Sequence, residues 1–444
     1  MSAQTSTKHI CIVGGGPGGL AALKMVLDTP QHKAGLWQAT VFEEREKSFL
    51  FPPSTPLFPP AATVEKYLSD YAAHFALTPH IRLQTQVQAV DWLPDAQKWK
   101  VQVDAHGLVE EPLFDLLIVA NGHYRLPRYP ATPGLDAWRA AGKATHSAWY
   151  RRPERIGATV LVVGGGPSGT DISAEMRTTA HVVIHSIEDR DGGRFKVRGR
   201  VAAFGDVEEG RVVFKDGSEE TGIDHCIVAT GYQHHLPFLP PTLLRWRCPL
   251  VPASRLAFLG LLKGVAPLPL MEAQIRATLA AFANPAIIDA EAESAAIVER
   301  YEHLRARFGP EASEAHIAAA WHVFAPQMQF DYRDELHGLV GCEERVAKWV
   351  REIYDARDVL RAEWRELERV GEAEEWVRGV GEGGVEEWVE LMRRVLKRAQ
   401  ERPKKSGRTC RRRGSRVRRA RMAARSGSHN RSRRRAARRR RQNA

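Results

Sequence analysis

Read for apolar and polar positions, residues 8–14 form an apolar run that stops at three glycines, after which Leu20, Leu23 and Val26–Leu27 recur at helical spacing. The pattern predicts a strand that turns sharply into a helix. ATVFEE predicts a second strand ending at Glu43. The proline-dense FPPSTPLFPP at 51–60 can be neither helix nor central strand, so it reads as a loop. VEKYLSDYAAHFAL has helical spacing, whereas IRLQTQVQAVDW and WKVQVD alternate as strands of an antiparallel sheet do. FDLLIVANG at 114–122 carries the apolar run LLIVA and predicts a buried strand with a turn behind it.

Near residue 160 the opening pattern returns, with VLVVGGGPSG almost repeating ICIVGGGPGG. HVVIHS at 181–186 supplies the following strand and IDHCIVATGY at 223–232 another buried one. From about 271 to about 400 the chain is helical in pattern and rich in Trp, interrupted by VGEGGV near 380. Two strand–turn–helix units, each with a later buried strand, predict an α/β protein with two doubly wound, Rossmann-like dinucleotide-binding domains. Residues 1–140 and about 233–400 would form the first domain with its C-terminal helices, 141–232 the second, and 401–444 a tail.

Composition adds little to this. Of 444 residues 43% are apolar and 27% charged, as in ordinary soluble domains, and no apolar run approaches the length of a bilayer span. MSAQTSTK passes directly into the first strand without the apolar core of a signal peptide, so a cytoplasmic protein is expected. Five cysteines lie far apart with no C-x-x-C pair, which points to free thiols; neither a disulfide scaffold nor a metal site is expected.

Charge changes the picture more. Residues 401–444 hold 20 of the 65 Lys/Arg and one of the 53 Asp/Glu, leaving 45 basic and 52 acidic side chains for the rest. The body is mildly acidic, so neither nucleic acid nor membrane is an expected partner. The tail has no aromatic residues for stacking on bases, which argues against specific recognition. Its composition predicts a disordered, Arg-rich extension with sequence-blind attraction to polyanions, and nuclear import through it is an open alternative.

Candidate chemistry sits at the glycines. Gly14, Gly16 and Gly19 fit G-x-G-x-x-G between strand and helix: one glycine for the tight turn, one for close approach of a pyrophosphate, one for helix–strand packing. Glu43 at the next strand end can accept hydrogen bonds from a ribose diol, so this copy suits FAD. Gly164, Gly166 and Gly169 repeat the motif, but the next strand ends in His185 and Ser186, with Arg190 and Arg194 beyond and no acid. An acid would repel a 2′-phosphate, whereas Ser186 and Arg190 would accept one, so NADPH fits this copy better than NADH. Two cradles imply two nucleotides with hydride passing between them.

GKATHSAWYRRP at 142–153 precedes the second cradle and resembles the identifying stretch of flavin-containing monooxygenases: Gly142, His146, Tyr150, Arg151 and Pro153 fall in place, while Ala140 replaces the leading Phe. ATGY, with Thr230 and Gly231, and ANGHY, with Asn121, resemble that family's inter-domain strand ends. The resemblance runs from about 8 to 400. It implies a class B flavoprotein monooxygenase in which NADPH reduces FAD, oxygen adds as a 4a-hydroperoxyflavin, and a soft sulfur or nitrogen nucleophile of a small substrate takes the distal oxygen. No side-chain acid or nucleophile is then required. His146 reads as a hydrogen-bonded structural residue linking the domains.

The chain also departs from the family. After VFEEREKSF the family continues with a Gly-Gly-x-Trp turn and a segment carrying an Asn that faces the flavin, whereas Phe49 is followed at once by LFPPSTPLFPP. A few tens of residues are missing there, and Asn121, on a different strand end, does not replace that Asn. An NADPH oxidase that releases its peroxide, or a catalytically idle nucleotide-binding protein, are therefore the rival readings.

Overall fold

The computed structural model describes residues 7–43, 54–187, 196–244 and 251–402. The first cradle is built from β1 (Lys8–Val13), α1 (Pro17–Asp28) and β2 (Trp37–Phe42). With β3 (Ile81–Arg82), β4 (Leu116–Val119) and Leu256–Phe258 the two strands make a five-stranded parallel sheet. Its order is Leu256–Phe258, β4, β1, β2, β3. A parallel sheet is covered on both faces, so β1 and β4 can afford no polar alternation, and Ile10–Val13 and Leu116–Val119 are all buried.

One face packs on Leu20, Leu23 and Val26 of α1 and on Met271, Ile275, Leu279 and Phe282 of the long helix Pro267–Ala283. The other meets the antiparallel strands Thr85–Leu93 and Lys98–Ala105 through Val90, Trp99 and Val101.

The second sheet repeats the design. β5 (Ala144–His146), β6 (Thr159–Val163), β7 (Val182–Ser186), β8 (Lys196–Arg198) and β9 (His225–Val228) pair in parallel in the order β5, β9, β6, β7, β8, with α2 (Pro167–Met176) following β6. Between the sheets run two linkers, 120–128 and 229–235, joined where Tyr232–Gln233 pairs antiparallel with Leu126–Pro127.

The C-terminal part is helical from Pro267 to Glu401, with a break between Val377 and Val385 where the sequence reads VGEGGV. Trp364, Leu367, Leu391 and Val395 form its core. Leu57 and Phe58, from the described part of the proline-dense loop, pack against that core. Ser54 fastens the loop further: its N–H donates to the Val380 carbonyl, and its hydroxyl accepts from the Gly379 N–H. The chain through Leu396 is one compact unit, and of the unit beginning at Lys397 residues 397–402 are described. The Phe49–Leu50 junction, Arg190, Arg194 and the Arg-rich tail beyond 402 lie outside the described residues.

Candidate dinucleotide sites and the crossing between them

The first cradle turns at Gly14, whose φ of +104° no L side chain adopts readily. A Cβ on Gly19 would lie 1.8 Å from the Gly14 carbonyl oxygen, so helix and strand close on each other only because that atom is absent. A Cβ on Gly16 would meet nothing within 4 Å. Pro17 occupies the first helical position, Gly16 caps α1 without a side-chain hydrogen bond, and the helix N-terminus is left bare. Bare backbone beside the positive end of a helix is what a pyrophosphate requires.

Glu43 follows β2, and its carboxylate accepts the Gly15 N–H at 2.5 Å, which pins the acid at the mouth of the cradle. Asn121 lies across the mouth, its Cα 2.9 Å from where a Gly14 Cβ would stand. The Asn121 amide donates to the His235 carbonyl at 3.2 Å.

The second cradle matches it in detail. Gly164 has φ +125°, a Cβ on Gly169 would meet the Gly164 carbonyl oxygen at 1.9 Å, and Gly166 again faces open space. The residues present thus fit two dinucleotides. The difference lies beside the middle glycine. A Cβ on Gly15 would meet Glu43 at 3.0 Å, and one on Gly165 would meet Ile187 at 3.4 Å.

Ile187, one residue past β7 as Glu43 is one past β2, therefore occupies the place of the acid. This corrects the expectation for Ser186. As the last residue of β7 it is 2% exposed, and its hydroxyl donates to the Gly199 carbonyl at 2.9 Å, so it is not presented to a ligand. His185 is likewise spent, its Nε2 on the Gly164 carbonyl at 2.8 Å, and burial holds its pKa below the usual histidine value. Aligning VFE with HSI would have found Ile187.

The stretch 142–153 fastens the linker 229–235 and the helix α2 to each other. His146 is completely buried; its Nδ1 accepts the Ala148 N–H at 3.0 Å, which makes Nε2 the protonated nitrogen that donates to the Gly231 carbonyl at 3.0 Å. Burial lowers its pKa, against the pull of the Gly231 bond. Such an imidazole is a neutral, two-ended clamp and has no nitrogen left for proton transfer.

The Tyr150 hydroxyl donates to Glu175 on α2 at 2.9 Å, and burial with that carboxylate raises its pKa. Arg151 donates to the Ala148 and Tyr150 carbonyls, the Pro153 carbonyl accepts from Thr179, and Gly142 takes φ +71° at the turn into β5. On the facing linker the Thr230 hydroxyl donates to the Arg128 carbonyl at 2.5 Å, and the Arg128 guanidinium returns two bonds to the Thr230 carbonyl. Asp171 of α2 is held by Arg361 and Arg365, which ties the second cradle's helix to the C-terminal helices.

Elsewhere, His337, Cys342 and Glu344 bring donor atoms within 4.8 Å of one another, with His337 Nδ1 3.1 Å from the Glu344 backbone carbonyl. No described helix is long and apolar enough to cross a membrane.

Two glycine turns, each bare over a helix N-terminus and joined by paired linkers, define an oxidoreductase that handles two dinucleotides. Comparison with known proteins narrows the class. Residues 44–193 match the family described as flavin-binding monooxygenase-like. The chain is 27% identical over 383 residues to the flavin-containing monooxygenase FMO GS-OX-like 7 of Arabidopsis thaliana, covering 68% of this chain and 82% of the relative. It is 36% identical over 191 residues to FMO GS-OX-like 1 of the same plant, there spanning 41% of this chain and 40% of the relative. It is 27% identical to the thiol-specific monooxygenase of Saccharomyces cerevisiae over 53% of this chain and 63% of that protein.

In fold it is similar to the S-allyl-L-cysteine S-oxygenase of Allium sativum, with a TM-score of 0.65 at 22% identity over 88% of this chain and 99% of the other. By these likenesses the chain is similar to flavin-binding monooxygenase-like proteins. It is a flavin-dependent enzyme of the monooxygenase class.

Proposed function

We propose that the chain uses NADPH as its reductant and transfers one oxygen atom from O2 to a soft nucleophile, with FAD on the first cradle and NADPH on the second. The carrying observation is the contrast between Glu43 and Ile187 at otherwise matching positions. A carboxylate beside Gly15 suits a free ribose diol. An aliphatic side chain beside Gly165 offers no acceptor to a diol and no repulsion to a 2′-phosphate. Bound flavin supplies the redox and oxygen chemistry. The chain's own residues grip the pyrophosphates through the bare backbone at Gly16 and Gly166, and the His146–Gly231 and Arg128–Thr230 bonds hold the two cradles at a fixed separation.

Sulfur is favoured over nitrogen by the name of the thiol-specific yeast relative. The reading is tested by anaerobic addition of NADPH to the purified flavoprotein, followed by admission of air and a thioether. Bleaching of the flavin by NADPH in preference to NADH, with sulfoxide formed on aeration, is expected. Absence of bleaching would refute it. The second reading, an NADPH oxidase, rests on the abrupt passage from Phe49 into LFPPSTPLFPP and on the described part of that loop packing against the C-terminal helices. It predicts bleaching followed by hydrogen peroxide alone.

A further inference from the structure

Where the linkers leave the two cradles, four basic side chains gather from four separate segments. His123 comes from the linker after β4, two residues past Asn121, and His234 from the linker after β9, beside the His235 carbonyl that holds Asn121. Lys263 follows the strand Leu256–Phe258, and His322 follows the helix Glu314–Trp321. The three imidazoles run edge to face, His123 to His234 at 5.3 Å between ring centres and His234 to His322 at 5.2 Å.

His123 is 7% exposed at the buried end, while His234, Lys263 and His322 are half-buried at the rim. His234 is turned by the Leu261 carbonyl at 3.1 Å, and Lys263 Nζ donates to the Tyr232 carbonyl at 3.3 Å. Neither ring nitrogen of His123 completes a hydrogen bond of normal geometry, although the Gly260 carbonyl lies near enough to favour its charged form. A buried imidazole with both nitrogens unspent is rare and calls for a partner.

The charges around the cluster all have one sign. Burial first, and then His234, Arg300, Lys263 and His123, together bring the His322 pKa down to about 4. Burial, and after it Arg128, likewise lowers the pKa of Lys263. Arg300 spends its guanidinium on the Trp321 carbonyl and, like Lys263, forms no ion pair with a carboxylate among the described residues. Imidazoles that stay neutral while empty, next to fixed cations, are poised to take up a proton when an anion enters.

We infer that His123, His234, His322 and Lys263 form an oxyanion-binding site at the crossing between the two cradles, and that its occupant is the carboxylate of the substrate. The identity of the occupant rests on the oxygenase reading; the anion site does not. The competing source of the same chemistry is a phosphate of the nicotinamide cofactor.

The test uses two thioethers of similar size, methylthioacetate and 2-(methylthio)ethanol, on the flavin-loaded protein. Calorimetry in buffers of different ionisation enthalpy should show methylthioacetate binding with net proton uptake, more tightly at pH 6 than at pH 7.5. It should bind about tenfold more tightly than the neutral thioether, the size of one charge-assisted hydrogen bond. His322→Gln, checked for flavin content and melting temperature, should abolish that preference and leave the affinity for NADPH unchanged. If the variant does not fold, the proton uptake of the natural chain still decides.

Loss of NADPH affinity in His322→Gln, with no carboxylate preference in the natural chain, would keep the oxyanion site and overturn the substrate as its occupant. No carboxylate preference, no proton uptake and unchanged NADPH binding would overturn the site. Sulfoxide yield from 2-(methylthio)ethanol reports separately on the oxygenase reading, because that thioether makes no demand on the cluster.

Discussion

Ile187→Glu should turn the second cradle electrostatically into a copy of the first. The new side chain would stand where Glu43 stands, one residue past the strand end and against the middle glycine, with the Gly165 N–H available to hold it as the Gly15 N–H holds Glu43 at 2.5 Å. A carboxylate there would act on a 2′-phosphate of the ribose at roughly 5–6 Å, within the range over which charged groups disfavour or favour each other. At an effective dielectric of about 20 a pair of unit charges at that distance repels by about 3 kcal/mol. The position is half-exposed, and physiological salt leaves about half, so NADPH should weaken roughly tenfold.

NADH has no phosphate, and its diol can donate to the new carboxylate. One such bond contributes about 1 kcal/mol, so NADH should bind a few-fold more tightly. The preference would swing by roughly fiftyfold, read as the ratio of kcat/KM for the two cofactors and, independently, as their dissociation constants in anaerobic flavin reduction. Ile187→Gln has the same length without the charge and should leave NADPH binding near its starting value. Equal weakening of both cofactors would mean that the cradle itself was damaged. No change in either would show that residue 187 does not face the ribose, and the case for NADPH built on it would fall.

The two glycine classes within one motif should separate. Gly16→Ala, which meets nothing within 4 Å, should fold with an unchanged melting temperature and lose most of its flavin, while Gly19→Ala, 1.8 Å from the Gly14 carbonyl oxygen, should lose stability by several kcal/mol; urea melts of the flavin-free proteins distinguish them. Stability should fall on acidification between about pH 6.5 and pH 4. Burial lowers the pKa of His123, His146, His185, His234 and His322, so the unfolded chain binds protons first; the contribution is whole above the unfolded value and lost as pH drops toward the folded one. His322→Gln should flatten that slope by about 1 kcal/mol after solvent screening, as followed by denaturant midpoints across the range. Inserting a relative's segment between Phe49 and Leu50 should raise the fraction of NADPH recovered as sulfoxide; tight, fully coupled oxygenation by the chain without it would show that the segment is dispensable.

Much of this protein was legible before any coordinate. Strands buried on both faces of a parallel sheet must be continuously apolar, so KHICIV, LLIV and TVLVV announced themselves. A turn at φ near +100° followed by close helix packing tolerates only glycine at two fixed offsets, so both cradles were written in the local sequence. The break near residue 380 and the antiparallel pair after residue 84 were legible for the same local reason.

What a side chain meets across the fold was not local. Ser186 looked like a phosphate ligand because it ends a strand, but strand alternation turns it toward Gly199 and gives the mouth of the cradle to Ile187. His146 finds Gly231 85 residues away, and Asp171 finds Arg361 190 residues away. His123, His234 and His322 lie on three segments that no periodicity connects, and only the crossing of the two linkers and the packing of the helix Glu314–Trp321 beside it make them neighbours. Short-range backbone geometry is encoded by the residues that adopt it, whereas contacts between distant segments exist only once the sheets are closed and packed.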